Sequence, residues 1–182
     1  KLGPGIKGIS KISVQTGTTH GGVVLPDGSI ANVEIDFKTL QELSKLAREE
    51  YGMCGAVQHG ASTLPDEAFH HFPQVGTGEV HLATGFQNII YESKYFPKEL
   101  LDRINRNLSD KYANERKQGE TEEQFLYKTR KKGFGDFKAE MWDIPGSNLK
   151  GIRDELEARF SLLFHKLNVT GTEDLVRKFV VK

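Results

Sequence analysis

The chain has 182 residues and balances 25 basic against 25 acidic side chains, for a formal net charge of zero. That length suffices for one domain with a sizeable core, and the balance argues against a nucleic-acid module, which usually presents a basic face. A single cysteine, Cys54, excludes an internal disulfide framework and a paired-cysteine metal knuckle, and neither a membrane-length apolar run nor a signal-peptide pattern is present, so the expectation is a soluble, cytoplasmic protein.

Composition shifts near residue 92: the first part is rich in Gly and short β-branched runs, the second is charged with helical periodicity. "KISVQTG" (11–17) reads as a first strand, closed by Gly. "IDFKTLQELSKLAREEYG" follows, with Leu40, Leu43, Leu46, Ala47 and Tyr51 at helical spacing, Asp36 as its cap and Gly52 as its stop. "MCGAVQHG" (53–60) is a second strand, in which Cys54 is expected to be buried and inert. "TLPDEAFHHF" is a short helix with Pro65 in its first turn. "GEVHLATG" (78–85) is a third strand, with His81 inside it. Strand, helix, strand, short helix, strand is the signature of parallel pairing.

The second part predicts four more helices. "FPKELLDRINRNLSDKY" opens on Pro97, with Leu100, Leu101, Ile104, Leu108 and Tyr112 on one stripe. "TEEQFLYKTRKK" carries a capping box in Thr121 and Gln124. Trp142 reads as a packed anchor leading to Ser147, the cap of "SNLKGIRDELEARFSLLFHKL", which carries Leu149, Ile152, Leu156, Phe160 and Leu163. A last short helix starts near Thr172. Three parallel strands followed by helices match the last portion of a (β/α)8 barrel, a fold of about 250 residues. The domain reading is 1–92 as barrel strands with their loops, and 93–182 as helices packing on the barrel or on a partner subunit.

Ligand sites of parallel α/β proteins collect at the C-terminal strand ends. After the first strand stands Thr18-Thr19-His20-Gly21-Gly22, and after the second His59-Gly60-Ala61-Ser62. His20 and His59 are thus strand-end histidines on consecutive strands, and two readings stand. They could share a Zn²⁺, which takes imidazole nitrogens but needs a third ligand, or each could simply hydrogen-bond at its strand end. Gly60-Ala61-Ser62 offers successive N–H groups and a hydroxyl before a helix, and Ala83-Thr84-Gly85 a second such set, both suited to an anion.

Taken in order, "TTHGG…LPDG…IDFKTLQEL…VQHGAST…GEVHLATGFQN" resembles the C-terminal part of the class II, metal-dependent fructose-bisphosphate (ketose-bisphosphate) aldolases over residues 9–92. The resemblance implies reversible aldol cleavage of a ketose bisphosphate, with fructose 1,6-bisphosphate giving dihydroxyacetone phosphate and glyceraldehyde 3-phosphate. It implies His20 and His59 as two of three Zn²⁺ ligands, with another divalent ion or an accompanying monovalent cation left open. Gly21, Gly60, Ala61 and Ser62 would line a phosphate pocket, and His81, Leu82, Ala83 and Thr84 would hold the dihydroxyacetone-phosphate half. Zn²⁺ would polarise the ketose oxygens and stabilise the enediolate, while a carboxylate elsewhere shuttles the proton. Such aldolases are often dimers or tetramers, so a homo-oligomer is expected, with no nucleic-acid or membrane partner.

The sequence departs from that pattern at three positions. Ala61 replaces a Gly, which is tolerable if its backbone keeps a negative φ. His81 replaces an Asn, and its imidazole could hydrogen-bond an enediolate oxygen or approach the metal; it is the candidate catalytic residue of this chain, with the main acid/base expected outside it. Ala83 replaces an Asp, leaving the sugar phosphate open between fructose, tagatose and another bisphosphate. The family's remaining metal histidine and catalytic Asp lie on earlier strands, and the chain begins at Lys1 rather than Met. The expectation is therefore the C-terminal part of a longer enzyme. The competing reading is a non-catalytic sugar-phosphate-binding or assembly protein of the same architecture.

Three residue groups carry weaker readings. His70 and His71 are expected to diverge by about 100° around their helix and to be surface groups. His165, near a helix C-terminus, suits the dipole there and is read as structural. Arg130, in "YKTRKKGFGDF", is a candidate for a second phosphate, as an arginine in the tail of such aldolases is.

Overall fold

The computed structural model describes residues 8–19 and 21–180. Three short parallel strands form one sheet, ordered β1 (Ile12–Ser13), β2 (Ala56–Gln58), β3 (Glu79–Val80). Ile12 pairs with Ala56 and Ser13 with Val57, while Val57 pairs with Glu79 and Gln58 with Val80. The strands are shorter than the apolar runs that predict them. His81 lies just past β3 rather than within it, although its backbone N–H still bonds Gln58 O at 2.9 Å as a last rung. Cys54 also falls before its strand and is exposed, which corrects the expectation of a buried thiol.

Helix α1 (Phe37–Glu49) connects β1 to β2. Asp36 caps it through the Thr39 N–H, as the sequence predicts, and the Gly52 N–H bonds back to Arg48 O at 3.2 Å. Its buried face is Leu40, Ser44 and Ala47, whereas the predicted stripe members Leu46 and Tyr51 are exposed. A serine is tolerated there because its Oγ accepts the Ala56 N–H at 3.2 Å, satisfying a buried strand end. Between β2 and β3 run two 3₁₀ turns, Ala61–Thr63 and Asp66–His70, then α2 (His71–Gln74), with Pro65 immediately ahead of the second turn.

The residues after β3 do not extend the strand. Thr84–Glu92 is helix α3, an element the apolar reading of "HLATG" misses. The tail continues with α4 (Lys98–Lys111), α5 (Glu122–Thr129), α6 (Gly133–Asp136), α7 (Lys138–Trp142), α8 (Gly146–Lys166) and α9 (Glu173–Phe179). Pro97 precedes α4, which buries Leu100, Ile104 and Leu108. The Thr121–Gln124 capping box forms in full. Ser147 does not cap α8, which starts one residue earlier after Pro145. Trp142 is 77 % exposed and is no packed anchor.

Two hydrophobic clusters hold these layers. Leu40, Ala56, Ala61, Leu64, Phe69 and Phe72 pack around the sheet, and Leu163 of α8 completes them. Tyr91, Phe96, Leu100, Ile104, Leu108, Phe137, Ile144 and Ile152 form the second cluster. Helix α8 thus contributes to both, and its Phe160 stacks on Phe86 of α3 with ring centroids 4.4 Å apart. Each fully buried Leu or Phe contributes about 1.5–3 kcal/mol by area, and this shared helix ties the sheet to the tail. No helix among the described residues is long and apolar enough to cross a membrane.

Candidate functional site

The C-terminal ends of the three strands open on one cleft of about 520 Å³. It is lined by Gly21 from the first strand's loop, His59, Gly60 and Ser62 from the second, and Val80, His81, Leu82, Ala83 and Thr84 from the third. Eight of these nine carry the sequence-based site reading. Of the rest, Ala61 is buried behind the wall with a negative φ, as its substitution for Gly requires, and Arg130 lines a different hollow. His20, the other proposed metal ligand, lies outside the described residues.

A buried polar chain fixes the strand ends. Thr16 Oγ1 donates to Gln58 Oε1 at 2.7 Å, Gln58 Nε2 donates to Thr18 Oγ1 at 2.9 Å, and Thr18 Oγ1 donates to His59 O at 2.7 Å. Gln58 is 1 % exposed and Thr16 3 %; each donor is satisfied, as burial demands. Sequence reasoning missed this network, although an amide closing the apolar run "GAV" was its signal. Gly60 then turns with φ 69° and ψ 19°. A Cβ there would stand 2.9 Å from both Thr18 Oγ1 and Thr19 O, so the close approach and the left-handed backbone together require glycine.

The second and third loops are tied directly, because Ser62 Oγ accepts the Ala83 N–H at 3.0 Å. One predicted anion donor is therefore already used, and what remains is the start of α3. Ala83 provides no side-chain cap, and the first intrahelical bond at this end runs from Gln87 N to Ala83 O, 3.1 Å. The N–H groups ahead of Gln87 have no intrahelical acceptor, and they sit at the positive end of the helix dipole beside the cleft.

The His59 and His81 rings meet edge to face with centroids 4.4 Å apart. Glu79 accepts from His81 Nε2 on one side and from Lys11 on the other. Lys11, and after it His81, holds the Glu79 carboxyl below the usual carboxylate range, and Glu79 in turn raises the Lys11 ammonium. The cleft therefore combines two imidazoles, one of them held by the Glu79 carboxylate, with a helix N-terminus. Imidazole nitrogens are the donor type Zn²⁺ favours, and His59 brings one such ring to the cleft wall, a partial fit to such an ion. Among the described residues no group of three or more His, Cys, Asp or Glu side chains is placed to hold a metal.

His70 and His71 lie away from this cleft, and their rings do not diverge: the centroids are 3.9 Å apart. His71 Nδ1 meets Gln74 Oε1 at 3.2 Å and its ring packs on Phe37, since the 3₁₀-to-α junction between them replaces the regular helical rotation. His165 stands in the last turn of α8, where its charged form suits the dipole. Arg130 follows α5 with its side chain 13 % exposed, donating to Asn88 Oδ1 and, at 3.0 Å, to Glu92 Oε1. Its carbonyl accepts from Tyr91 Oη at 2.9 Å, a phenol that burial pushes up to about 12 and so keeps as a donor.

No family model, curated protein or solved structure matches the chain.

Proposed function

We propose that the chain carries the substrate half of a class II ketose-bisphosphate aldolase, performing reversible aldol cleavage of fructose 1,6-bisphosphate or a related ketose bisphosphate. The observation that carries this reading is the convergence of three consecutive strand-end loops on one cleft containing His59, His81, the Gly60–Ser62 turn and the start of α3. The finer fold reading, a portion of a (β/α)8 barrel, is supported by the parallel order of the sheet.

In this reading the uncapped start of α3 and the Gly60–Ser62 turn hold a phosphate of the ketose through backbone N–H groups. His81, oriented by Glu79 at Nε2, offers Nδ1 to a substrate oxygen and can hold or release a proton there. His59, with His20 on the preceding strand-end segment of the sequence, would hold Zn²⁺, which when bound would supply Lewis-acid polarisation of the ketose oxygens. The methyl of Ala83 leaves a substrate hydroxyl without a carboxylate acceptor.

The test assays the protein that carries this chain against fructose 1,6-bisphosphate, with and without chelator, and measures zinc in His20→Ala and His59→Ala variants. Chelation should abolish cleavage and each variant should lose zinc. Full activity and full metal content in both variants would end the reading. Binding of the bisphosphate without turnover would instead favour a non-catalytic sugar-phosphate-binding protein.

A further inference from the structure

Helix α5 faces the loop that follows β1 and contacts it through three side chains spaced along one face. Thr121 Oγ1 donates to Pro26 O at 3.0 Å, Gln124 Nε2 to Val24 O at 2.8 Å, and Tyr127 Oη to Gly21 O at 3.2 Å. Thr121 and Gln124 use the other half of each side chain in the capping box. The third contact reaches the cleft itself, because Gly21 lines it.

The direction of the hydrogen bonds behind Tyr127 is set by charge. A guanidinium can only donate, so Arg130 fixes Asn88 Oδ1 toward itself. Asn88 Nδ2 is thereby aimed at Tyr127 Oη, 3.1 Å away, and the phenol's one proton is left for Gly21 O. The Arg130 guanidinium also lies over the Tyr127 ring, 4.2 Å from its centroid, which holds the ring in place. Asn88 belongs to α3, whose first residue, Thr84, forms the facing part of the cleft wall. At that place the two lips come close: a Cβ added to Gly21 would reach van der Waals distance, 3.8 Å, of Thr84 Oγ1.

We infer that Arg130, Asn88 and Tyr127 form a positioning relay that fixes Gly21 against the start of α3 and so sets the width of the cleft for a phosphorylated sugar. Arg130 then serves the site through Asn88 and Tyr127 rather than by touching a phosphate. The relay concerns the same cleft as the proposed aldolase function, and its effect on substrate rests on that reading.

The experiment compares Tyr127→Phe with Tyr112→Phe, which loses a hydroxyl bond to Asp136 remote from the cleft. Hydrogen exchange by mass spectrometry reads the loop itself in the full natural protein, and steady-state kinetics with fructose 1,6-bisphosphate reads the site. In Tyr127→Phe alone, exchange over residues 21–31 should rise and KM should rise about fivefold, the equivalent of one net hydrogen bond, with kcat within about twofold of wild type. Unchanged exchange in that segment overturns the relay. Raised exchange with unchanged KM overturns its control of substrate binding. Raised exchange in a protein whose wild type neither binds nor cleaves the bisphosphate upholds the mechanical tie and overturns the aldolase reading instead.

Discussion

Replacing Gly60 and Gly52 by alanine, one at a time, separates backbone strain from crowding at the cleft. Both glycines are left-handed, with φ of 69° and 61°. A Cβ at position 52 meets nothing within 4 Å, so Gly52→Ala suffers only the left-handed penalty, about 1–2 kcal/mol. At position 60 the new Cβ would stand 2.9 Å from Thr19 O, a backbone atom that cannot rotate away, and equally close to Thr18 Oγ1, which is committed to His59 O. Overpacking of that kind adds about 1–3 kcal/mol, so Gly60→Ala should lose about 2–5 kcal/mol in all. Urea unfolding followed by circular dichroism at constant m-value reads both numbers. Equal destabilisation of the two variants would refute the claim that the β1 and β2 loops press on each other at Gly60.

Three further outcomes follow from burial and capping. Phe69→Ala empties a fully buried site in the sheet-side cluster and should cost about 3–5 kcal/mol in the same assay. Trp142→Ala should change stability by less than about 0.5 kcal/mol, since the indole is 77 % exposed, and a thermal melt shows this directly. The Thr39 hydroxyl, and after it the Thr39 N–H, lowers the Asp36 carboxyl below its ordinary 3.8. Its contribution is present above that value and disappears as pH falls through the lower folded value. Asp36→Asn should therefore flatten the acid limb of the stability profile, read from urea midpoints at descending pH, while keeping the cap acceptor.

Local signals carried far in this sequence, and long-range ones did not. Asp36, the Thr121–Gln124 box and the Pro97 start are each decided by a few neighbouring residues, and each stands where the pattern predicts it. The residues of the cleft were legible because strand ends and their glycines mark loops without any knowledge of packing. "HLATG" misled because a short apolar run has no period of its own, and the chain turns into α3 once His81 has made its last sheet bond. Leu46 and Trp142 misled because hydrophobicity alone does not say which face finds a partner. The hydrogen bonds of the Thr16–Gln58–Thr18 chain and of the Arg130–Asn88–Tyr127 relay join residues 39 or more positions apart, and no spacing in the sequence announces such pairs.

The doubled use of the α5 capping box has a consequence for how the protein is made. Thr121 and Gln124 reach back 95 and 100 residues to Pro26 and Val24, and Tyr127 reaches back 106 to Gly21. Chains emerge from the ribosome N-terminus first at about 5–20 residues per second, so the loop after β1 is synthesised roughly 5–20 s before the helix that bonds it. The sheet-side strands can meet during that interval, but the Gly21, Val24 and Pro26 carbonyls lack their α5 donors until that helix emerges. The first lip of the cleft is therefore secured late in synthesis, and a chain truncated before residue 121 would keep the strand-end loops while lacking the helix that holds the first of them.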